Sequence, residues 1–162
     1  MKLNLGCGDD TRDGYVNIDI RNLDNKDIVV ADITKLQYEK DSIEEILASD
    51  IYEHISHLES KNLLKHWNDL LIPEGVLIIR TPSLDIIMQY LMGCKNTEEI
   101  ESGIKMIFGG QEYKENSHYT ICHTQLMVKY LEECNYDDIH YKYECQNIII
   151  KCKKKKSSLS LV

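Results

Sequence analysis

Lys2-Leu3-Asn4-Leu5-Gly6-Cys7-Gly8-Asp9-Asp10 is the stretch on which the reading of this chain turns. A short apolar run ends in two glycines separated by one residue. A buried parallel strand has this form where it enters a loop whose backbone must approach a ligand closely. Eleven residues beyond Gly8, the run Tyr15-Val16-Asn17-Ile18-Asp19 closes on a carboxylate. Strand, glycine loop, strand and acid together point to a nucleotide-like cofactor.

Two further runs repeat the pattern. Ile28-Val29-Val30-Ala31-Asp32 and Ile43-Glu44-Glu45-Ile46-Leu47-Ala48-Ser49-Asp50 each end in an acid. One such acid is an ordinary helix cap or loop solubiliser, but three at successive strand ends after a glycine loop form a set. In open α/β sheets, ligands sit beyond the carboxyl ends of the strands, where the strand order reverses.

A helix is expected after Tyr52-Glu53-His54-Ile55. Ser56 and Glu59 have capping-box spacing, and Leu63, Trp67, Leu70 and Leu71 share a helical face. Pro73-Glu74-Gly75 is expected to end it and lead into the apolar strand Val76-Leu77-Ile78-Ile79-Arg80-Thr81, stopped by Pro82. This alternation predicts a parallel sheet covered on both faces. Residues 84–122 break the rhythm and read as an insertion, with helical patches near 85–93 and 97–107. Its glycine-rich loop, Phe108-Gly109-Gly110-Gln111-Glu112-Tyr113, precedes Asn116, His118 and Tyr119 and is a plausible lid or substrate wall. A helix over 124–134 and two strands over 138–143 and 147–153 complete the pattern.

The chain has 162 residues, read as one domain over 1–153 with a lysine-rich flexible tail over 154–162. Net charge is −8; five lysines fall within 151–156, leaving 14 basic and 27 acidic residues, or −13, elsewhere. So acidic a body is a poor surface for a phosphate backbone, which disfavours nucleic acid as partner. Without a signal peptide, a membrane-length apolar run or a CxxC pair, the six cysteines read as reduced cytoplasmic thiols.

The spacing discriminates between cofactors. A nicotinamide fingerprint wants a third glycine and an intact helix after the loop. Position 11 is Thr, and only seven residues separate Gly8 from Val16. A dinucleotide needs a helix N-terminus for its pyrophosphate. S-adenosylmethionine has no phosphate, and a glycine loop with acids at strand ends suits it better.

The ordered set resembles the small class I SAM-dependent methyltransferases, in a subgroup of predicted methyltransferases. It comprises Leu3-Asn4-Leu5-Gly6-Cys7-Gly8, Gly14-Tyr15-Val16-Asn17-Ile18-Asp19, Ala31-Asp32-Ile33, Ala48-Ser49-Asp50-Ile51-Tyr52-Glu53-His54-Ile55, Leu71-Ile72-Pro73-Glu74-Gly75-Val76-Leu77 and the Phe108 loop with His118. The resemblance covers residues 2–153. It implies a Rossmann-like α/β fold with a seven-stranded, mostly parallel sheet and an antiparallel terminal hairpin strand. Helices before the first strand are lacking, so the pocket is more open on that side or closed by a second subunit.

By the same resemblance, Gly6 and Gly8 line the methionine moiety and Asp19 takes the ribose hydroxyls, with Leu5, Cys7 and Ile20 also in the cofactor site. Asp32 and Ile33 lie by the adenine, with Ser49 and Asp50 near the methionine end. The catalytic base is assigned to His118 or His54, with Asp50 and Tyr52 as further candidates. The substrate wall is assigned to Tyr52, His54, Gln111, Tyr113, His118 and Tyr119. His57, His66 and His140 read as surface or helix-face residues. No required metal is expected, because neither His54 with His57 nor His118 with Cys122 and His123 has a ligand spacing.

Base methylation is disfavoured: Ser49-Asp50-Ile51-Tyr52 stands where amino methyltransferases of bases resemble one another in Asp/Asn-Pro-Pro-aromatic, and there is no Pro-Cys nucleophile. The expected activity is methyl transfer from S-adenosylmethionine to a hydroxyl or amine of a small molecule. A peptide or protein acceptor, or a non-catalytic cofactor-binding partner subunit, is the alternative.

Overall fold

A computed structural model describes residues 1–156. Seven strands, β1 (Lys2–Leu5), β2 (Val16–Asp19), β3 (Ile28–Val30), β4 (Ile43–Ser49), β5 (Leu71–Pro82), β6 (Tyr136–Glu144) and β7 (Asn147–Lys154), form one sheet. Its order is β3-β2-β1-β4-β5-β7-β6. β1 to β5 pair in parallel, while β7 runs antiparallel to both β5 and β6. The expected terminal hairpin is therefore present, turning through Cys145, whose φ of 54° is left-handed.

Four helices, α1 (Ser60–Leu70), α2 (Leu84–Gly93), α3 (Thr97–Phe108) and α4 (Thr124–Glu133), all follow β4. The three crossovers before β4 contain none. The expectation of helices on both faces is thus corrected, and the register gives the reason. Leu3, Leu5, Ile18, Ile46, Ala48, Leu77, Ile79 and Ile150 lie on one face and join Leu63, Trp67, Met127 and Leu131 in the core. On the opposite face the β1–β2 corner carries Lys2, Asn4, Asn17 and Glu45, with apolar Leu47 and Ile78 only toward the middle of the sheet, so this corner offers no apolar stripe for a helix.

The β1–β2 loop folds over that polar face. Asn4 Nδ2 donates to Asn17 Oδ1 at 2.9 Å and to the Asp10 carbonyl at 2.8 Å, and the Arg12 amide donates to Asn17 Oδ1 at 2.8 Å. Two buried asparagines thereby satisfy loop groups that a crossover helix would otherwise have satisfied internally.

Two local expectations also change. Ser56 does not form the capping box: its Oγ accepts from the Leu58 amide at 3.3 Å, and α1 begins only at Ser60. α1 ends before Pro73 rather than at it, and β5 starts at Leu71 with a register shift. Ile43 pairs with Leu71 and Glu45 with Val76, so residues 72–75 bulge out and Pro73 leaves no ladder bond unmade.

Of the tail expected over 154–162, Lys154 closes β7, its Nζ donating to Asp41 Oδ1 at 2.7 Å and the Leu71 carbonyl at 2.8 Å. Residues 157–162 lie outside the described residues. No helix among the described residues is long and apolar enough to cross a membrane, and all six cysteines are free.

Candidate active site

The strand order reverses between β1 and β4, and a cleft of about 260 Å³ opens there beyond the strand ends. Each of the first four strands contributes to it: Gly6 after β1, Asp19 and Ile20 at the end of β2, Asp32 and Ile33 after β3, and Ile51, His54 and Ile55 after β4. Lys114, Glu115 and Tyr119 of the insertion close its far side. A larger cavity of about 440 Å³ adjoins it, lined by apolar Leu84, Phe108 and Met127 together with Tyr52, His57, His118 and Cys122. Tyr119 borders both spaces.

Gly6 has φ +63°, and a Cβ built on it would fall 2.4 Å from Ile51 Cγ1. Glycine is required there both by conformation and by the close seat of the chain after β4. Asp19 is buried, and its carboxylate is already engaged. The Gly8 amide donates to Oδ2 at 2.9 Å, while the Arg21 amide and Nε donate to Oδ1 at 2.9 and 3.0 Å. Burial raises its pKa, but these hydrogen bonds and the guanidinium charge outweigh that and the net shift is downward. Arg21 also lies under Tyr113 of the insertion, 5.7 Å from the ring centroid, so it ties the end of β2 to the loop above.

The second cluster stands between cleft and cavity. The 3₁₀ turn Tyr52–His54 follows β4 and presents Glu53 and His54. Glu53 is only 2% exposed; Thr81 Oγ1 donates to its Oε2 at 2.9 Å. Its carbonyl accepts the amides of Tyr119 at 2.8 Å and Thr120 at 3.1 Å, which pins the end of the insertion beside it. Burial, helped by the charge of Asp50, pushes the Glu53 carboxyl up to about 7. His54 Nδ1 bonds the Ser117 carbonyl at 3.0 Å and His118 Nδ1 the Met106 carbonyl at 3.1 Å. Both Nε2 atoms are left as lone-pair donors. Burial and then the neighbouring charge of His54 lower the His118 pKa, favouring the neutral ring.

Gly109 makes the seat of His118. A Cβ there would meet the Asn116 carbonyl oxygen at 2.3 Å and His118 Cδ2 at 3.0 Å, and its φ is +78°. The glycine loop thus serves the packing of the histidine segment.

Gly6, Asp19, Ile20, Asp32, Ile33 and His54 meet at the cleft, and Tyr52, His118 and Tyr119 at the cavity. Leu5 and Cys7 are buried, and burial together with Asp19 raises the Cys7 thiol to about 11. Gly8 turns its amide to Asp19 rather than into the cleft. Ser49 ends β4, and Asp50 pairs with Arg80. Gln111 bonds the Phe108 carbonyl, and Tyr113 stacks on Arg21. None of these seven residues lines either space.

His57 is exposed, as expected, and also lines the larger cavity, while His140 is exposed and pairs with Asp138. The residues that sequence reasoning passed over are Arg21, Glu53, Ile51, Ile55, Lys114 and Glu115. Glu53 had a signal: it is an acid set among Ile51, Tyr52 and Ile55 directly after an apolar strand.

No protein-family profile matches the chain, and no curated protein sequence does. Among solved structures it is similar to a SAM-dependent methyltransferase from Archaeoglobus fulgidus, at 13% identity and a TM-score of 0.64, over 94% of this chain and 85% of that one. It is similar to the CurJ carbon methyltransferase at 15% identity and a TM-score of 0.63, over 96% of this chain but only 48% of that one. It also resembles, at 11% identity and a TM-score of 0.62 over 95% and 82%, a structure from Haloferax volcanii. That structure is a complex of the Trm112 methyltransferase activator and a putative methyltransferase. The fold is the Rossmann-like fold of the class I SAM-dependent methyltransferases. The same fold serves a [4+2]-cyclase, SpnF, so activity must be argued from the site.

Proposed function

We propose that this protein is a SAM-dependent methyltransferase acting on a hydroxyl or amine of a small molecule, such as a sugar or another biosynthetic intermediate. The observation that carries this reading is the cleft at the β1/β4 reversal, lined by Gly6, Asp19 and Asp32, which meets a second, largely apolar cavity at His54 and His118.

The cleft's residues fit such a cofactor. The positive φ of Gly6 and its tight seat on Ile51 keep the first loop clear of side chain. The two acids offer acceptors for hydroxyl, amino and ammonium groups, and Ile20 and Ile33 offer apolar walls for a purine. When bound, S-adenosylmethionine supplies an electrophilic methyl on a sulfonium.

The protein's part is alignment of the acceptor and removal of its proton. The acceptor occupies the larger cavity, its oxygen or nitrogen held near the Nε2 atoms of His54 and His118. The cofactor would be held by Gly6, Asp19 and Asp32 and would supply the methyl group, and the imidazole of His54 or His118 would take the proton that the acceptor releases. The six free cysteines suit a reducing compartment such as the cytoplasm.

A partner subunit is the second reading. Met88, Met92, Ile100 and Ile104 on the α2–α3 pair are exposed, Met92 at 85%. Titration with S-adenosylhomocysteine by calorimetry tests the main reading: stoichiometric binding supports it, and absence of heat and of thermal stabilisation overturns it. Size-exclusion chromatography tests the second.

A further inference from the structure

We propose that Glu53, His54 and His118 bind one divalent first-row transition cation at the junction of the cleft and the cavity. One potential ligand atom from each residue lies within 4.8 Å of those from the other two, and this is the one such group of three among the described residues. An ion at 2.0–2.1 Å from its ligands holds them about 3.4 Å apart in tetrahedral geometry, so closure needs movements on the order of 1 Å.

The surroundings are those of a metal site. Each imidazole already gives its Nδ1–H to a backbone carbonyl, Ser117 for His54 and Met106 for His118. That contact fixes the tautomer and leaves the Nε2 lone pair free to ligate, as outer-shell partners do for metal-bound histidines. Glu53 is held by Thr81, and its main chain anchors Tyr119 and Thr120 beside His118. The third ligand is thereby tied to the first.

The donor set selects the ion. Two imidazoles and one carboxylate suit zinc, manganese, iron(II) or cobalt, whereas magnesium and calcium prefer all-oxygen sites. Three protein ligands leave at least one position open, the arrangement of catalytic rather than structural sites. Because His118 lines the larger cavity, an acceptor oxygen held there would be placed to fill it.

In this consequence the proposal rests on the methyltransferase reading. The ion then replaces an imidazole as the group that lowers the acceptor's pKa. The hydroxyl bound to it releases its proton to water. The oxygen pair forms the carbon–oxygen bond, and the carbon–sulfur pair stays on sulfur.

The test uses the full chain, stripped with a chelator and titrated with cobalt(II) by visible absorption and with zinc by calorimetry. A saturable d–d spectrum and one equivalent of zinc are expected. His54→Ala and His118→Ala should each weaken binding at least tenfold, while His140→Ala, on the exposed strand β6, should leave it unchanged. Circular dichroism checks the fold of each variant, and the cobalt spectrum of the unaltered chain needs no variant. No saturable binding, or affinity untouched in both folded cluster variants, overturns the site. S-adenosylhomocysteine is titrated separately into the stripped chain. Cofactor binding without metal binding sinks the ion alone, and metal binding without cofactor binding sinks the methyltransferase reading alone.

Discussion

The rings of His54 and His118 meet edge to face with centroids 5.0 Å apart and planes at 77°, although one follows β4 and the other closes the insertion. Their Nδ1 contacts to carbonyls require a proton on Nδ1 in both. Nitrogen-correlated NMR of the metal-free protein at neutral to mildly alkaline pH should therefore show the Nδ1–H tautomer for both rings. A dominant Nε2–H signal at either residue would contradict the geometry.

Arg21 competes with the proposed ligand for Asp19. It occupies both carboxylate oxygens, so a ribose diol binding there must displace it. Arg21→Ala should leave S-adenosylhomocysteine affinity equal or tighter, at a stability cost of about 1 kcal/mol or less for this partly exposed pair. Asp19→Ala should weaken binding by roughly 1.5–3 kcal/mol, the scale of a hydrogen bond to a charged group. Calorimetry on the two variants checks both directions.

The same carboxylate sets an acid limb. Its folded pKa lies below its unfolded value, so its contribution to stability is complete above the unfolded pKa of about 3.9 and is lost as pH falls through the folded one. Urea midpoints should drop between about pH 5 and 3. Asp19→Asn should drop less over that interval than the parent, because it removes the titrating group. Equal slopes would show that other acids carry the limb.

Gly6 and Gly14 both have positive φ but differ in what surrounds them. A Cβ at Gly6 collides with Ile51, whereas nothing lies within 4 Å of one at Gly14. Gly6→Ala combines a strained backbone with overpacking, about 2–5 kcal/mol in all, while Gly14→Ala should cost about 1–2 kcal/mol. Chemical denaturation separates the two.

Thr81 is fully buried and donates to Glu53, so Thr81→Val should destabilise by about 1–3 kcal/mol. It should also loosen the Tyr119 and Thr120 amides held by the Glu53 carbonyl, read as faster hydrogen exchange at those two positions.

How far the sequence carried the reading depended on the distance over which a signal acts. Gly6 and Gly8 after an apolar run, and the hairpin after α4, are local patterns, and the fold follows from them. The positions of Asp19, Asp32 and His54 follow from the rule that strand ends meet at an order reversal. What escaped was long-range. Nothing in the residues near Arg21 says that its guanidinium lies between Asp19 and Tyr113. Asn4 and Asn17 look like tolerated polar residues until the register puts them side by side on an uncovered face. The Ser56 capping box failed because Ser60 starts the helix one turn later, its hydroxyl bonding back to the His57 carbonyl at 3.1 Å.

The helix-free crossovers around β1, β2 and β3 have a thermodynamic consequence. This corner has strands of three and four residues and apolar cover on one side only, so its unfolding exposes less apolar area per residue than the α1–α4 side. Such a corner is expected to contribute little to the heat capacity of unfolding and to open locally at low energy. A ligand filling the cleft at Gly6, Asp19 and Asp32 would therefore act as a staple, joining the ends of three short strands.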